Sequence, residues 1–465
     1  MRITKKNLIL TISFVLFLVL NGYLIAVHEP WRDEIHAWLM AKYMSPFEMI
    51  AFSRHEGHPL LWHFILMPFA KAGAPVWTMH IISYIIVAVS AWLFLFRTKM
   101  HDVMKVVVLF TVPFLYTYSS IARNYCLILL LGMVICTLYD KRYEHPFLYS
   151  IFIALMVFTH AMAWGLVAGL TITFHIKEIA TKLLGKSKLD RKHIGLIWAG
   201  LGVIAASTIF AVLTLFGKRN SGYFVVADDR TNNTILTMLG LLLISFLILL
   251  LTRGKIWKET VTLLTTYALI IYIYKNVFSG VLFQRQILIS VFMLIFTLCA
   301  LAENKDLRKE FKACIIALYV VSLFLGGNLL DTYYYIAQDI NCNYSSGKEM
   351  ADYINANLPD EEVILVDAGT FAQTMVPYTD KTLYDIRYEE NIVDSLYCVD
   401  EGAEIVQHVY AIPEHEEYKG RYIVLYYEFN DLPFEKIYRT SDAITGEYFT
   451  LYYIPDDPSL FVEPA

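Results

Sequence analysis

The sequence predicts an α-helical polytopic membrane protein (residues 1–330) followed by a C-terminal extracytoplasmic α/β domain (residues 331–465). Three observations point there. Hydrophobic residues make up 57% of the 465-residue chain and aromatics 15%, with a mean hydropathy of +0.50, more than a soluble chain of this length carries. Apolar runs of bilayer length recur through the first 330 residues. The net charge of -5 also hides a division, with 31 Lys+Arg against 16 Asp+Glu in residues 1–330 and 7 against 27 in residues 331–465.

The first run, residues 8–27 (LILTISFVLFLVLNGYLIAV), is about 20 residues at ~1.5 Å each, the thickness of the hydrocarbon layer. Arg2, Lys5 and Lys6 precede it, but the run is too long for a signal peptide and no convincing small-x-small cleavage site follows. It reads as a retained anchor with its amino end in the cytoplasm. Further apolar segments lie near 75–96, 103–120, 122–139, 147–160, 161–180, 194–216, 233–251, 257–274, 278–300 and 311–330.

Basic loops orient these segments. Arg97/Lys99/Lys105, Lys141/Arg142, Lys177 to His193, Arg253/Lys255/Lys258 and Lys305 to Lys312 all face the cytoplasm only if the short stretch 60–67, cut by Pro59 and Pro68, does not span. About eleven spanning helices result. Residues 28–58, the segment ends near 116–123, 160, 217–232 and 275–280, and the tail then lie outside the membrane, which is expected to be a bacterial plasma membrane.

The tail reads as α/β. SSGKEMADYINANL (345–358) has a serine cap and helical spacing, EEVILVDAG (361–369) is a strand and turn, and RYIVLYYE, FEKIYRTSD and GEYFTLYYIP are later strands. VDAGTF lacks the spacing of a dinucleotide fingerprint, so the tail is expected to support the membrane site rather than to form a second one. Of six cysteines, Cys126, Cys136, Cys299 and Cys314 are small core residues. Cys342 and Cys398 have the option of pairing in an oxidising compartment.

The first external loop concentrates ionisable residues. In EPWRDEIHAWL (29–39) a helix can start at Pro30, with Ile35, Trp38, Leu39 and Tyr43 on an apolar face that lies on the membrane. Asp33, His36 and Met40 are on the other side, and Glu34 points about 100° away from Asp33. The plain alternative is a solvated helix with acids in its first turn, as the helix dipole favours. In RHEGHPLLWHF (54–64), Gly57 permits a tight turn and Pro59 holds His58 extended near the membrane. The histidines of HEGH are too close for a zinc-protease helix, and a divalent metal at Asp33, His36, His55 or His58 is a minor expectation, with no cofactor required.

Two arginines stand in apolar helices: Arg123 in SSIARNYCLILLL (119–131), close to Tyr125, and Arg285 in FQRQILIS. Each can be a snorkelling side chain or a clamp for phosphate, whose geometry suits a guanidinium fork. His160 in FTHAMAW can join the same cavity or serve packing alone, and the loop 217–230, with Lys218, Arg219, Asp228 and Asp229, reads as a solvated turn.

D-E on a surface helix, G-H-P-L-L-W leading into an apolar helix, A-R-N-Y and T-H-A, in that order, resemble the GT-C glycosyltransferases. The likeness is to the protein O-mannosyltransferase and aminoarabinose-transferase branch (family 39-like), although Leu60 stands where that pattern has its second proline. The resemblance implies a GT-C-like transmembrane catalytic domain and transfer of a sugar from a polyprenyl-phosphate donor to a glycan, lipid or protein hydroxyl. It carries the catalytic aspartate onto Asp33. Arg123, Tyr125 and Arg285 would then meet the phosphate, and Glu34, His58 and His160 the substrates. A transporter or flippase of lipid-linked saccharides is the alternative. Membrane lipids are the expected surroundings, and no nucleic-acid partner is expected.

Overall fold

The computed structural model describes residues 5–56, 58–215, 229–252, 255–276, 289–303, 330–397 and 415–456, with isolated residues between 308 and 317 and at 412. The described chain is mostly helical, with one sheet at the C-terminus. Its helices are α1 (Lys5–Val27), α2 (Arg32–Tyr43), α3 (Pro46–Glu56), α4 (Leu61–Lys71), α5 (Thr78–Arg97), α6 (Asp102–Leu109), α7 (Tyr125–Tyr139) and α8 (Pro146–Val157). They continue with α9 (Trp164–Leu170), α10 (Lys177–Leu183), α11 (Arg191–Leu215), α12 (Asp229–Leu251), α13 (Trp257–Asn276), α14 (Ile289–Glu303), α15 (Leu330–Asn341) and α16 (Gly347–Asn357).

Among the described residues three helices are long and apolar enough to cross a bilayer: residues 8–27 of α1, all of α5 and all of α11. Their outward faces are apolar, with Val19 64%, Ile85 54% and Leu213 74% exposed, a surface that lipid can cover and water cannot without cost. Shorter apolar helices include α7, α8 and residues 238–250. Among the described residues these three meet the length and hydropathy of a span, and several of the expected segments fall partly outside those residues. The 103–120 segment is divided between α6 and a wide π turn at Pro113–Thr117. The stretch after Pro59 forms α4, whose 11 residues rise only about 16 Å, short of the hydrocarbon thickness.

Helix contacts inside this region use small residues. Gly165 and Gly169, one turn apart on α9, face α13 so closely that a Cβ on Gly165 would lie 2.5 Å from Thr266 Cα and one on Gly169 2.6 Å from Thr262 Cα. This close approach is the small-xxx-small packing by which apolar helices gain dispersion contacts when water provides no drive.

The tail forms a six-stranded sheet in the order β3-β2-β1-β4-β6-β5. The strands are β1 (Val363–Asp367), β2 (Thr382–Asp385), β3 (Glu390–Asn391), β4 (Tyr422–Tyr426), β5 (Glu435–Arg439) and β6 (Phe449–Tyr453). β1 pairs in parallel with β2 and β4, and the outer pairs are antiparallel. Alternation gives each face its own core: Ile364, Val366 and Val424 join Met350 and Ile354 of α16, while Leu365, Ile423 and Leu425 join Tyr418 and Tyr452. The expected helix and four strands of the tail are present within one to three residues at each end.

At the carboxyl ends of β1 and β2, buried Asp367 and Asp385 hold Arg387, at 3.4 Å and 2.9 Å. Gly369 follows with φ +55°, where its missing Cβ also lets Arg387 approach. The chain then runs as a 3₁₀ segment, Gly369–Tyr378, which packs against both α16 and α2. The tail therefore sits directly on the first loop of the helical region.

Candidate active site

The first loop begins at the end of α1. Glu34 occupies the third position of α2, and its carboxylate accepts the backbone N–H of Trp31 at 3.2 Å, closing the helix start. The same carboxylate accepts the backbone N–H of Ala122 at its other oxygen and meets His28 Nε2 and His80 Nε2, each at 3.1 Å. His28 Nδ1 lies 2.8 Å from Asp339 of α15, which also accepts the Tyr116 hydroxyl at 2.6 Å. Side chains of His28 and Glu34 are 0% exposed. Burial alone would discharge both groups, but each is the other's remedy. Desolvation lowers His28, and Glu34 and Asp339 more than reverse this, holding it well above the usual imidazole range. Desolvation raises Glu34, and His28 and His80 hold it below the usual carboxylate range.

Asp33, one residue earlier, turns the other way, as the 100° per residue of a helix dictates. Its carboxylate is 17% exposed and lies between two guanidinium groups, Arg32 at 3.1 Å and Arg123 at 3.5 Å. Arg123 is itself buried, donates to the Asp33 carbonyl and contacts Nε2 of His58. Burial and then Arg123 push the His58 imidazole down to about 3, so His58 is neutral at pH 7. His160 stacks on His58 with ring centres 5.5 Å apart, and Tyr125 lies 5.6 Å from His160 on the other side. Both are buried, and His160 Nδ1 accepts the Met162 N–H, starting the turn that leads into α9.

Four segments thus bring Asp33, His58, Arg123, Tyr125 and His160 together. The expected member Arg285 lies outside the described residues, as do Gly57, Cys314, Cys398 and the loop 217–228. Glu34 is corrected: it is enclosed and has no open face toward a substrate, because both of its oxygens serve the loop's own backbone and histidines. Met40, expected beside Asp33 and His36 on the free face, is fully buried. The helix start also moves, with Trp31 rather than Pro30 directly preceding the first turn.

The tail covers the Asp33 face. Arg32 Nε donates to Thr370 Oγ1 at 2.7 Å and its guanidinium lies 5.5 Å from the Phe371 ring centre. His36 Nδ1 is 2.7 Å from Gln373 Oε1, and its Nε2 is 2.7 Å from Glu56. Glu56 also faces His63 at 3.4 Å. Burial opposes its charge, but His36 and then His63 hold it well below the usual carboxylate range. The four residues expected as metal ligands do not gather: His36 is with Glu56, His58 with Arg123, and His55 against Phe52. The residues missed by sequence reading are His28, His80, Asp339 and Tyr116. The one local signal was His80, an ionisable group in the first turn of an otherwise apolar helix.

No protein-family model matches this chain, and comparison with curated proteins finds no relative. The chemistry of the site therefore has to be read from its own atoms.

Proposed function

We propose that the protein is a membrane glycosyltransferase of GT-C-like architecture with about eleven spanning segments. It would move a sugar from a polyprenyl-phosphate donor to an acceptor hydroxyl on the extracytoplasmic face. The observation that carries this reading is the meeting of Asp33 and Arg123, 90 positions apart in sequence, at 3.5 Å beside His58, Tyr125 and His160. A base for the attacking hydroxyl and a cation for the leaving phosphate are the two groups that inverting transfer needs.

Asp33 accepts the hydroxyl proton as the acceptor oxygen bonds to the anomeric carbon. The bond from that carbon to the phosphate oxygen breaks on the opposite face, and its electron pair leaves with the polyprenyl phosphate. Phosphate is a good leaving group, so a single carboxylate suffices, unlike the paired carboxylates of glycoside hydrolysis. A sugar ring does not fit across 3.5 Å. Substrate entry therefore replaces the direct Asp33–Arg123 contact, with the guanidinium turning its remaining donors to phosphate. His58, neutral and stacked on His160, fixes the arginine from behind.

The test is to supply purified protein with a polyprenyl-phosphate sugar and an acceptor mixture and to follow release of polyprenyl phosphate. Wild type is expected to release it, and Asp33→Asn to be slower by about 10²–10⁴-fold. Equal rates in the two proteins would remove Asp33 as the base, and no release by wild type with any donor would remove the transferase reading.

A further inference from the structure

We propose that His28, Glu34 and His80 bind one divalent cation of the zinc class, with Asp339 orienting His28 from behind. The three ligand atoms, two imidazole nitrogens and a carboxylate oxygen, lie within 4.8 Å of one another and belong to buried side chains. His28 Nε2 lies 3.1 Å from one Glu34 oxygen and His80 Nε2 lies 3.1 Å from the other. Four-coordinate zinc with bonds of about 2.0–2.1 Å separates neighbouring donors by about 3.3 Å, so the three donors, within 4.8 Å of one another, would draw together around the ion. Two histidines and one carboxylate are also a donor set that zinc favours.

The outer partners fit as well. A ligating histidine ordinarily donates its other ring N–H to a carboxylate, which fixes the tautomer and strengthens the donor nitrogen. Asp339 lies 2.8 Å from Nδ1 of His28 and is itself fixed by the Tyr116 hydroxyl.

Charge balance points the same way. Glu34 and Asp339 are two carboxylates with side chains no more than 1% exposed, one on each nitrogen of the His28 ring. A divalent cation with neutral histidines answers both. His28 and His80 also line a cavity of about 680 Å³ between the end of α1, the start of α5 and the tail residues Lys348 and Tyr378. That cavity gives an ion a way in and a water a place as the fourth ligand. A metal here would tie α1, α2, α5 and α15 together directly behind Asp33. The site does not depend on the transferase reading.

The full-length protein in detergent, stripped with chelator, would be dialysed against Zn²⁺ and its metal content measured beside His80→Gln and His36→Gln. The glutamine at 80 can still donate to Glu34 but is a poor zinc ligand. The site requires about one tightly held Zn²⁺ per chain in wild type and in His36→Gln, and binding at least tenfold weaker in His80→Gln. Asp339→Asn should weaken it by roughly 10–100-fold, the usual cost of losing such an outer partner. Wild type holding no Zn²⁺ above buffer, or His80→Gln holding it as tightly as wild type, would overturn the proposal. Should His80→Gln fail to fold, Co²⁺ added to stripped wild type decides: visible bands of four-coordinate Co²⁺ support the site, and a spectrum of hydrated Co²⁺ overturns it.

Discussion

Asp33 and Glu34 are adjacent carboxylates in one helical turn, yet they meet opposite surroundings. Glu34 is sealed, with two backbone N–H groups and two histidines on its oxygens. Asp33 is 17% exposed and lies between guanidinium groups on longer, more adjustable side chains. The difference teaches that neighbouring acids of one helix can divide into an enclosed one that fixes the loop and a partly exposed one that faces arginines.

The largest effect expected from breaking this pair is on rate. Asp33→Asn should lower polyprenyl-phosphate release by about 10²–10⁴-fold while leaving the melting temperature of the purified protein near that of wild type. Glu34→Ala should do the reverse in kind. It strands a buried imidazolium and two backbone donors, so unfolding stability should fall by about 3–5 kcal/mol, read as a lower melting temperature. A Glu34→Ala protein as stable as wild type would show that the enclosed carboxylate fixes nothing.

A smaller effect sharpens the open side. His58 has its folded value depressed to about 3, below the ordinary ~6.5 of an unfolded histidine. Between these values the unfolded chain binds a proton that the folded chain refuses, so this contribution to stability is full above about pH 6.5 and declines as pH falls toward 3. The slope is at most about 1.4 kcal/mol per pH unit. Melting curves of wild type and His58→Gln should separate in that window, with the variant less sensitive to acid; parallel curves would place His58 in a more solvated setting. Smallest is Gln373→Ala, which removes one contact to His36. It should cost about 1 kcal/mol and loosen the tail from α2, seen as faster hydrogen exchange across residues 369–378.

Much of the open side was legible in the sequence. Asp33 and His36 share a face because residues three apart do so in any helix, and both remain on the partly exposed side of α2. The strands of the tail followed from their alternation and β-branched residues. The sealed side was not legible, because its members are scattered: His28, Glu34, His80, Tyr116 and Asp339 span 311 positions, and each alone looks like an isolated polar residue beside an apolar run. Periodicity reports which face a side chain occupies, not what lies across from it. The burial of Met40 and the docking of residues 369–378 on α2 were hidden for the same reason. Loop charge orders segments without fixing how long each helix runs, as the division of the 103–120 segment shows.

The bond between His28 and Asp339 has a consequence in time. Asp339 is added 311 positions after His28. At about 5–20 residues per second a ribosome takes roughly 15–60 s to pass from one to the other. Throughout that interval the buried pair of His28 and Glu34 lacks the Asp339 carboxylate. The tail thus completes the first loop, so a chain that stopped before residue 339 would leave His28 without its Asp339 partner.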